Sequence, residues 1–481
     1  MNTNNPLLTD LYQLTMAAAY HASGRAEQEA AFHLFFRTLP FKGGYAVAAG
    51  LGSAVEWLKG FRFETDDIDY LATLRDAENA ELLRPAFLDY LRDLKLTVSI
   101  DAIPEGTLVF PHQPILRITG PILQCQLLET ALLNIINFQT LIATKAARVC
   151  QAAQGEPVLE MGLRRAQGPD GALCASRAAH IGGCATTSNV LAGKVFGIPV
   201  KGTHAHSWVM SFETELEAFE QYAAALPGNC TFLVDTYNTL EGVRNAVKMG
   251  IKLRETGHRL LGIRLDSGDL AWLSQQARII LDEGGFPDAA IVASNDLDEN
   301  IIESLKHQGA KISIWGVGTK LVTGGDQAAL GGVYKLAAVR DEAGNWQPRI
   351  KLSEQVIKVS TPGLQQIRRF SQDGQFIADA IYDAEQACPE PCKIVDPAEF
   401  LRHTTLPAGT AYQDLLVPLI RNGKLISKMP PLADSRAHCI AQLASLDPSI
   451  KRLANPHNYP AGLEAGLFQK KIDLIHRTRP L

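Results

Sequence analysis

Between residues 155 and 340, short apolar runs alternate with segments of helical period, and this alternation constrains the fold of the 481-residue chain more than any other feature. The runs are Pro157-Val158-Leu159-Glu160, Phe232-Leu233-Val234, Leu260-Leu261-Gly262-Ile263, Ala290-Ile291-Val292-Ala293 and Ile312-Ser313-Ile314-Trp315. Between the second and third, Val243, Ala246, Val247, Gly250 and Ile251 recur at helical spacing and predict one small, apolar helix face. Strand, helix and strand repeating at roughly thirty residues is the signature of a parallel sheet, because parallel neighbours need a crossover connection. The expected fold class is α/β: an irregular (β/α) barrel resembling a TIM barrel. It is expected over 126–345, with an N-terminal α+β domain over 1–125 and a C-terminal α+β extension over 346–481.

Each apolar run ends in chemistry. Asp235-Thr236 follows Val234, Arg264 and Asp266 follow Ile263, Ser294-Asn295-Asp296 follows Ala293, and Gly316-Val317-Gly318-Thr319 follows Trp315. Loops are polar in any case. Four such ends in succession fit a barrel better, since (β/α) barrels carry their catalytic groups at the carboxyl ends of the strands.

Composition narrows the function classes. A net charge of −5 argues against a non-specific nucleic-acid binder, so an anionic ligand must be caught by a local cluster. Residues 1–6 carry no basic region and the first positive charge is Arg25, so no secretory leader is expected. The longest apolar stretch, 124–149, is broken by Gln126, Glu129, Asn134, Asn137, Gln139 and Lys145, which suits a buried helix and not a membrane span. Of eight scattered cysteines only Cys388 and Cys392 lie close, and a zinc site needs four ligands. Free thiols in a reducing cytoplasm are the plainer expectation.

Gly316-Val317-Gly318-Thr319-Lys320, with Gly324-Gly325 behind it, is a glycine-rich turn whose bare N–H groups suit a phosphate monoester. Arg264-Leu265-Asp266-Ser267-Gly268-Asp269 sets one cation and two carboxylates at a strand end. Arg264 and Asp266 alternate onto one face, a set that a pyrophosphate with Mg2+ needs, with a carboxylate for the metal or for sugar hydroxyls; the metal would fall to Asp266 and Asp269. Asp269 equally suits a helix cap. In Arg164-Arg165 one guanidinium suits a carboxylate-bearing ring, though arginine pairs are usually solvated. His204 and His206, two residues apart after an apolar run, would share one face of a strand. A lone histidine is more often structural than nucleophilic.

Taken with Thr9-Asp10-Leu11-Tyr12-Gln13-Leu14-Thr15, Glu160-Met161-Gly162-Leu163-Arg164-Arg165-Ala166-Gln167-Gly168 and Lys201-Gly202-Thr203-His204-Ala205-His206-Ser207-Trp208, these segments resemble the nicotinate phosphoribosyltransferases over about residues 8–336. The resemblance implies transfer of phosphoribose from 5-phosphoribosyl 1-pyrophosphate to nicotinate, with release of pyrophosphate, in NAD biosynthesis. It implies coupling to ATP hydrolysis through a phosphohistidine at His206, and a cytoplasmic homodimer with shared sites. It assigns Arg264 and Asp266 to catalysis, and Gly316, Gly318, Thr319, Asn295 and Asp296 to phosphate. It places Tyr12, Met161, Arg164, Ser188, Asn189, Thr203 and Ser207 in substrate binding. Tyr12 would reach the ring held by the neighbouring subunit, and Met161 stands where relatives stack an aromatic. Nicotinamide-using relatives carry an aspartate where Asn189 stands, so the lost charge favours a carboxylate substrate. Quinolinate would demand more cations and no phosphorylated histidine. A silent barrel serving as ligand sensor or scaffold would have no reason to keep His206, Arg264 and Asp266 together.

Overall fold

A computed structural model describes residues 5–479; Met1–Asn4, part of the segment on which the expectation of no leader rests, lie outside the described residues. The chain divides into two compact units, one holding residues up to Leu141 together with those from Ala329 onward, the other Ile142–Ala328. The boundary falls inside the Glu129–Ala152 helix, the expected long apolar helix. No helix among the described residues is long and apolar enough to cross a membrane.

In the first unit the two ends of the chain share one antiparallel sheet, in the order Trp346–Pro348, Gly332–Arg340, Glu29–Phe36, Leu116–Pro121, Ser99–Ala102, Val417–Arg421, Lys424–Leu425. The segments read from sequence as separate N- and C-terminal domains are therefore one structural body. The Glu29–Phe36 strand is central and buried along nearly its whole length, His33 included. A second six-stranded sheet is built from the C-terminal region alone, with Ala461–Glu464 lying between Cys392–Val395 and Gln375–Asp383.

The second unit holds a six-stranded parallel sheet in the order Thr186–Thr187, Val158–Glu160, Ile314–Val317, Ala290–Ala293, Gly262–Leu265, Thr231–Leu233. Helices follow the strands, among them Gly168–Ile181, Thr239–Glu255, Leu270–Glu283 and Glu299–His307. The Thr239–Glu255 helix buries Gly242, Val243, Ala246, Met249, Gly250 and Leu253. The predicted face is thus rotated: Ile251 is exposed, and Met249 and Leu253 take its place. Gly242 is required there, because a Cβ would come within 2.1 Å of the Val234 carbonyl oxygen.

The strand ladder among the described residues is a parallel sheet without continuous closure into a barrel. Thr187 at one edge forms a parallel bridge with Val200. Beyond Val200 a side chain takes over: His204 Nε2 accepts the Leu233 N–H of the opposite edge strand at 3.3 Å.

Candidate active site

The carboxyl ends of these strands gather Arg264, Asp266, Asp235, Ser294, Thr203 and His206. Arg264 sits in the Gly262–Leu265 strand, and alternation carries Asp266 to the same side. The guanidinium is held at three points: Nη2 to Asp266 Oδ1 at 3.0 Å, Nε to Ser294 Oγ at 2.9 Å and Nη1 to Thr203 Oγ1 at 3.1 Å. Such an arginine is a fixed positive charge, with no reorganisation left to make when an anion arrives. Ser294 Oγ also donates to Asp266 Oδ1. Burial works to raise the Asp266 carboxyl, but the Ser294 hydroxyl and the Arg264 charge prevail and hold it below the usual carboxylate range.

Asp235 follows the Thr231–Leu233 strand with its side chain wholly buried. Its Oδ2 accepts the Asp266 N–H at 2.8 Å and the Ser267 hydroxyl at 2.6 Å. Its Oδ1 is buried and has no hydrogen-bond partner among the described residues. An unsatisfied carboxylate oxygen costs free energy in a folded protein, so this oxygen is open to a ligand, a water or a reacting group.

His206 supplies the nearest group. It opens the short His206–Met210 helix, with Nδ1 3.1 Å from Thr236 Oγ1 and Nε2 3.7 Å from Asp266 Oδ2 and 4.0 Å from Asp235 Oδ1. The last two distances are too long for hydrogen bonds. Two carboxylates on one side nonetheless favour the tautomer with its proton on Nε2, leaving the Nδ1 lone pair toward the Thr236 hydroxyl. His204 is different. It is buried among the rings of Phe219, Tyr222 and Phe232, and burial holds its imidazole down at about 4. Residues 201–205 are not a strand, so the two histidines do not share a face as the sequence suggested.

At the Val158–Glu160 strand, buried Glu160 accepts hydrogen bonds from Ser176 Oγ at 2.7 Å, Thr187 Oγ1 at 2.6 Å and the Gly162 N–H. Asn189 is also buried, and its Oδ1 caps the Val190–Phe196 helix while Nδ2 donates to Ser176 Oγ. Its side chain is thus engaged in holding the backbone. Ser188 donates its N–H to the Glu160 carbonyl and is half-buried. Arg164 and Arg165 form the exposed Leu163–Arg165 turn, where neither makes an ion pair among the described residues. Ser207 is exposed beside His206.

Gly316 lies under Met161: a Cβ there would stand 2.9 Å from the Met161 sulfur. Methionine is therefore packed onto the glycine turn from the first strand, as a thioether rather than an aromatic ring. Gly318 precedes the single turn Thr319–Val322. Asn295 and Asp296, both exposed, have φ of 97° and 44°, consecutive left-handed conformations of the kind that collects at functional loops. Asp269 Oδ1 accepts the Trp272 N–H at 3.0 Å and caps the Leu270–Glu283 helix, so Asp235, not Asp269, is the second carboxylate beside Asp266. Tyr12 lies in the first unit, second in the Leu11–Ala22 helix and 49% exposed.

Asp235, Thr236 and Ser294 touch Asp266, His206 and Arg264, although the sequence places them at strand ends without assigning them to the site. Their place one or two residues past an apolar run was the available signal. Glu160 left none, since an acid closing a strand reads as an ordinary boundary.

Three family descriptions match in succession: the nicotinate phosphoribosyltransferase N-terminal domain over residues 7–137, the nicotinate phosphoribosyltransferase family over 157–353, and the C-terminal domain over 365–471. A Bacillus subtilis nicotinate phosphoribosyltransferase is 44% identical over 98% of this chain and 96% of its own. A human nicotinate phosphoribosyltransferase is 37% identical over 96% of this chain and 95% of its own. The crystal structure of human nicotinic acid phosphoribosyltransferase superposes with a TM-score of 0.84 at 34% identity, covering 97% of this chain and 99% of that one. A nicotinate-nucleotide pyrophosphorylase from Pyrococcus furiosus shares the fold at a TM-score of 0.69 and 21% identity.

Proposed function

The chain belongs to the nicotinate phosphoribosyltransferase family, and from that membership we propose how its residues carry the reaction. The enzyme joins nicotinate to 5-phosphoribosyl 1-pyrophosphate, giving nicotinate mononucleotide and pyrophosphate. The ring nitrogen displaces pyrophosphate at the anomeric carbon through an oxocarbenium-like transition state, so the protein must neutralise the leaving group, hold the 5-phosphate and align the ring. Arg264, fixed at three points beside Asp266, meets the pyrophosphate. The Gly316–Thr319 turn with Asn295 and Asp296 takes the 5-phosphate. Arg164, exposed and without an ion-pair partner among the described residues, meets the nicotinate carboxylate, and Met161 and Ser188 line the ring side. Asn189 supports this wall through its helix cap.

The donor set also fits Mg2+. Asp266 Oδ2 is the oxygen of that carboxylate not engaged by Arg264 or Ser294, and the buried Asp235 carboxylate beside it adds negative charge while its own Oδ1 faces His206 Nε2. Hard, charged oxygens of this kind suit a cation that keeps several waters and shares its remaining positions with phosphate. Bound there, the ion would supply neutralising charge for pyrophosphate.

ATP enters through His206. The Nδ1 lone pair attacks the γ-phosphorus, the bond to ADP breaks, and phosphate resides on the ring. The positive charge the ring gains is balanced through its Nε2–H by Asp235 and Asp266, which gives the unpaired Asp235 oxygen a chemical purpose. The phosphate then adds local charge that tightens the magnesium-bearing donor, and its hydrolysis after transfer loosens the products.

The observation carrying this reading is His206 set between Thr236 on one nitrogen and two carboxylates on the other, in the same strand-end cluster as Arg264. Pyrophosphate release is the test, with nicotinate, nicotinamide and quinolinate in turn, each with and without ATP. Release with nicotinate alone, increased by ATP, is expected; equal rates with nicotinamide would overturn the substrate assignment.

Two further readings accompany it. The parallel sheet is the wall of an irregular barrel closed by His204, and the enzyme is a homodimer in which Tyr12 completes the neighbouring subunit's ring site. The eight free cysteines support a reducing, cytoplasmic setting.

A further inference from the structure

Cys388-Pro389-Glu390-Pro391-Cys392 is a motif for which phosphoribosyl transfer has no use. Cys392 opens the Cys392–Val395 strand, fixed in register opposite Leu406. Cys388 lies in the loop before it, outside any ladder. Their Sγ atoms are 3.8 Å apart and both side chains are buried, in a small apolar cluster with Phe370, Ala380, Tyr382 and Ile394. Zinc is a poor match for such a pair: two sulfurs leave two of its four positions unfilled, and the described residues contain no group of three or more metal-binding side chains.

Arg368 supplies a neighbouring charge. It is bound to Asp414 at 2.9 Å and stacked over the Tyr412 ring at 3.6 Å, with Tyr382 beside it at 5.2 Å. The hydrogen bond with Cys392, opposed by burial but joined by the Arg368 charge, holds the Cys388 thiol below its ordinary value, whereas the Cys392 thiol is pushed up. A thiol more easily ionised, in contact with one less easily ionised, is the asymmetry of an attacking and a resolving cysteine.

We propose that Cys388 and Cys392 form a redox modification site, oxidised by a small hydroperoxide to a reversible intrachain disulfide. The Cys388 thiol gives up its proton, its sulfur attacks the peroxide oxygen, the O–O bond breaks, and Cys388 becomes a sulfenic acid as the expelled hydroxide takes up that proton and leaves as water. Cys392 sulfur then attacks Cys388 sulfur, expelling hydroxide that departs as water with the Cys392 proton. Two thiols lose two electrons and one hydrogen peroxide becomes two waters. The sulfurs must close to about 2.05 Å, and the loop position of Cys388 leaves it the partner able to move. The ring formed encloses only three residues, so it restrains little unfolded-chain entropy. A bond that adds so little global stability suits a sensor better than a staple.

Peptide mapping of the intact, reduced protein after hydrogen peroxide treatment and alkylation tests the site. The peptide carrying Cys388 and Cys392 should become disulfide-linked roughly tenfold faster than half-buried Cys174 is oxidised, and dithiothreitol should restore both thiols. In Cys392→Ser, a dimedone probe should trap Cys388 as sulfenic acid; in Cys388→Ser, Cys392 should stay alkylatable. If Cys174 oxidises first, or if Cys392 carries the sulfenic acid in Cys388→Ser, the proposal fails. The mapping of the unsubstituted protein decides the matter even if a serine variant does not fold.

Discussion

His204 and His206 stand two residues apart and serve opposite ends of the same architecture. His204 Nε2 receives the Leu233 N–H inside an aromatic cage, while His206 turns its ring to Thr236, Asp235 and Asp266. One imidazole accepts from an edge strand of the sheet, and the other faces the carboxylates at the strand ends.

His206→Ala is therefore expected to abolish ATP hydrolysis and the ATP-dependent gain, leaving a slow transfer that still needs Arg264 and Asp266. His204→Gln, which keeps an acceptor for Leu233, should retain the ATP effect. Labelled ATP gives the check: acid-labile, base-stable phosphate must appear on His206, and its appearance on His204 would reverse the assignment.

Asp235→Asn keeps an oxygen for the Asp266 and Ser267 donors but removes the charge facing Nε2. Phosphorylation of His206 should slow by on the order of a hundredfold, while ATP-independent transfer changes far less. Thr236→Val, which removes only the hydroxyl at Nδ1, should have a smaller effect in the same assay. A parallel loss in both reactions would place Asp235 in the pyrophosphate or scaffold role instead.

The parallel sheet was legible because strand and helix periods are local, and so was the Arg264–Asp266 pair, since alternation is a property of two residues. The union of the chain's ends was not: Ala30 pairs with Val339 and Ile100 with Ile420, and such partners leave no local trace. The shared face expected of His204 and His206 failed for a local reason, because the segment before His206 is coil that turns directly into a helix. Asn189 was open to a better reading, since an asparagine before a helical segment is a strong N-cap signal.

Arg164→Ala should weaken nicotinate selectively. The guanidinium is exposed and has no ion-pair partner among the described residues, so its removal disturbs little else. Loss of one member of a charge pair that is desolvated only when substrate binds should cost about 2 kcal/mol or more in apparent nicotinate affinity. Affinity for 5-phosphoribosyl 1-pyrophosphate should be nearly unchanged. Titration of each substrate separates this from a scaffold role, which would weaken both.

The His204 ring also predicts an acid limb of stability. Its folded-state value is held at about 4 against 6.5 for an ordinary imidazole. Between those values the unfolded chain binds a proton that the folded one refuses, so stability rises with pH through this window and is fully present above it. For a nearly buried ring the whole effect is about 3 kcal/mol. His204→Gln should flatten this limb in urea titrations, leaving a residual slope from His112 and His33, whose values burial lowers to about 4 and about 3. An unchanged slope would mean that the ring is already protonated in the fold.

A shared site makes the strongest demand on assembly. Tyr12 belongs to the unit formed by the chain's ends and Arg264 to the other, and neither substitution removes the other's side chain. If each site takes Tyr12 from one subunit and Arg264 from its partner, a Tyr12→Ala and Arg264→Ala heterodimer has one doubly damaged site and one intact site. Random reassortment of equal amounts makes half of the dimers mixed, so about a quarter of the unsubstituted activity should return. Native mass spectrometry can verify the mixed species in the sample assayed. Activity that stays at the sum of the two inactive parents, with mixed dimers present, would show that each chain supplies its own Tyr12 or needs none.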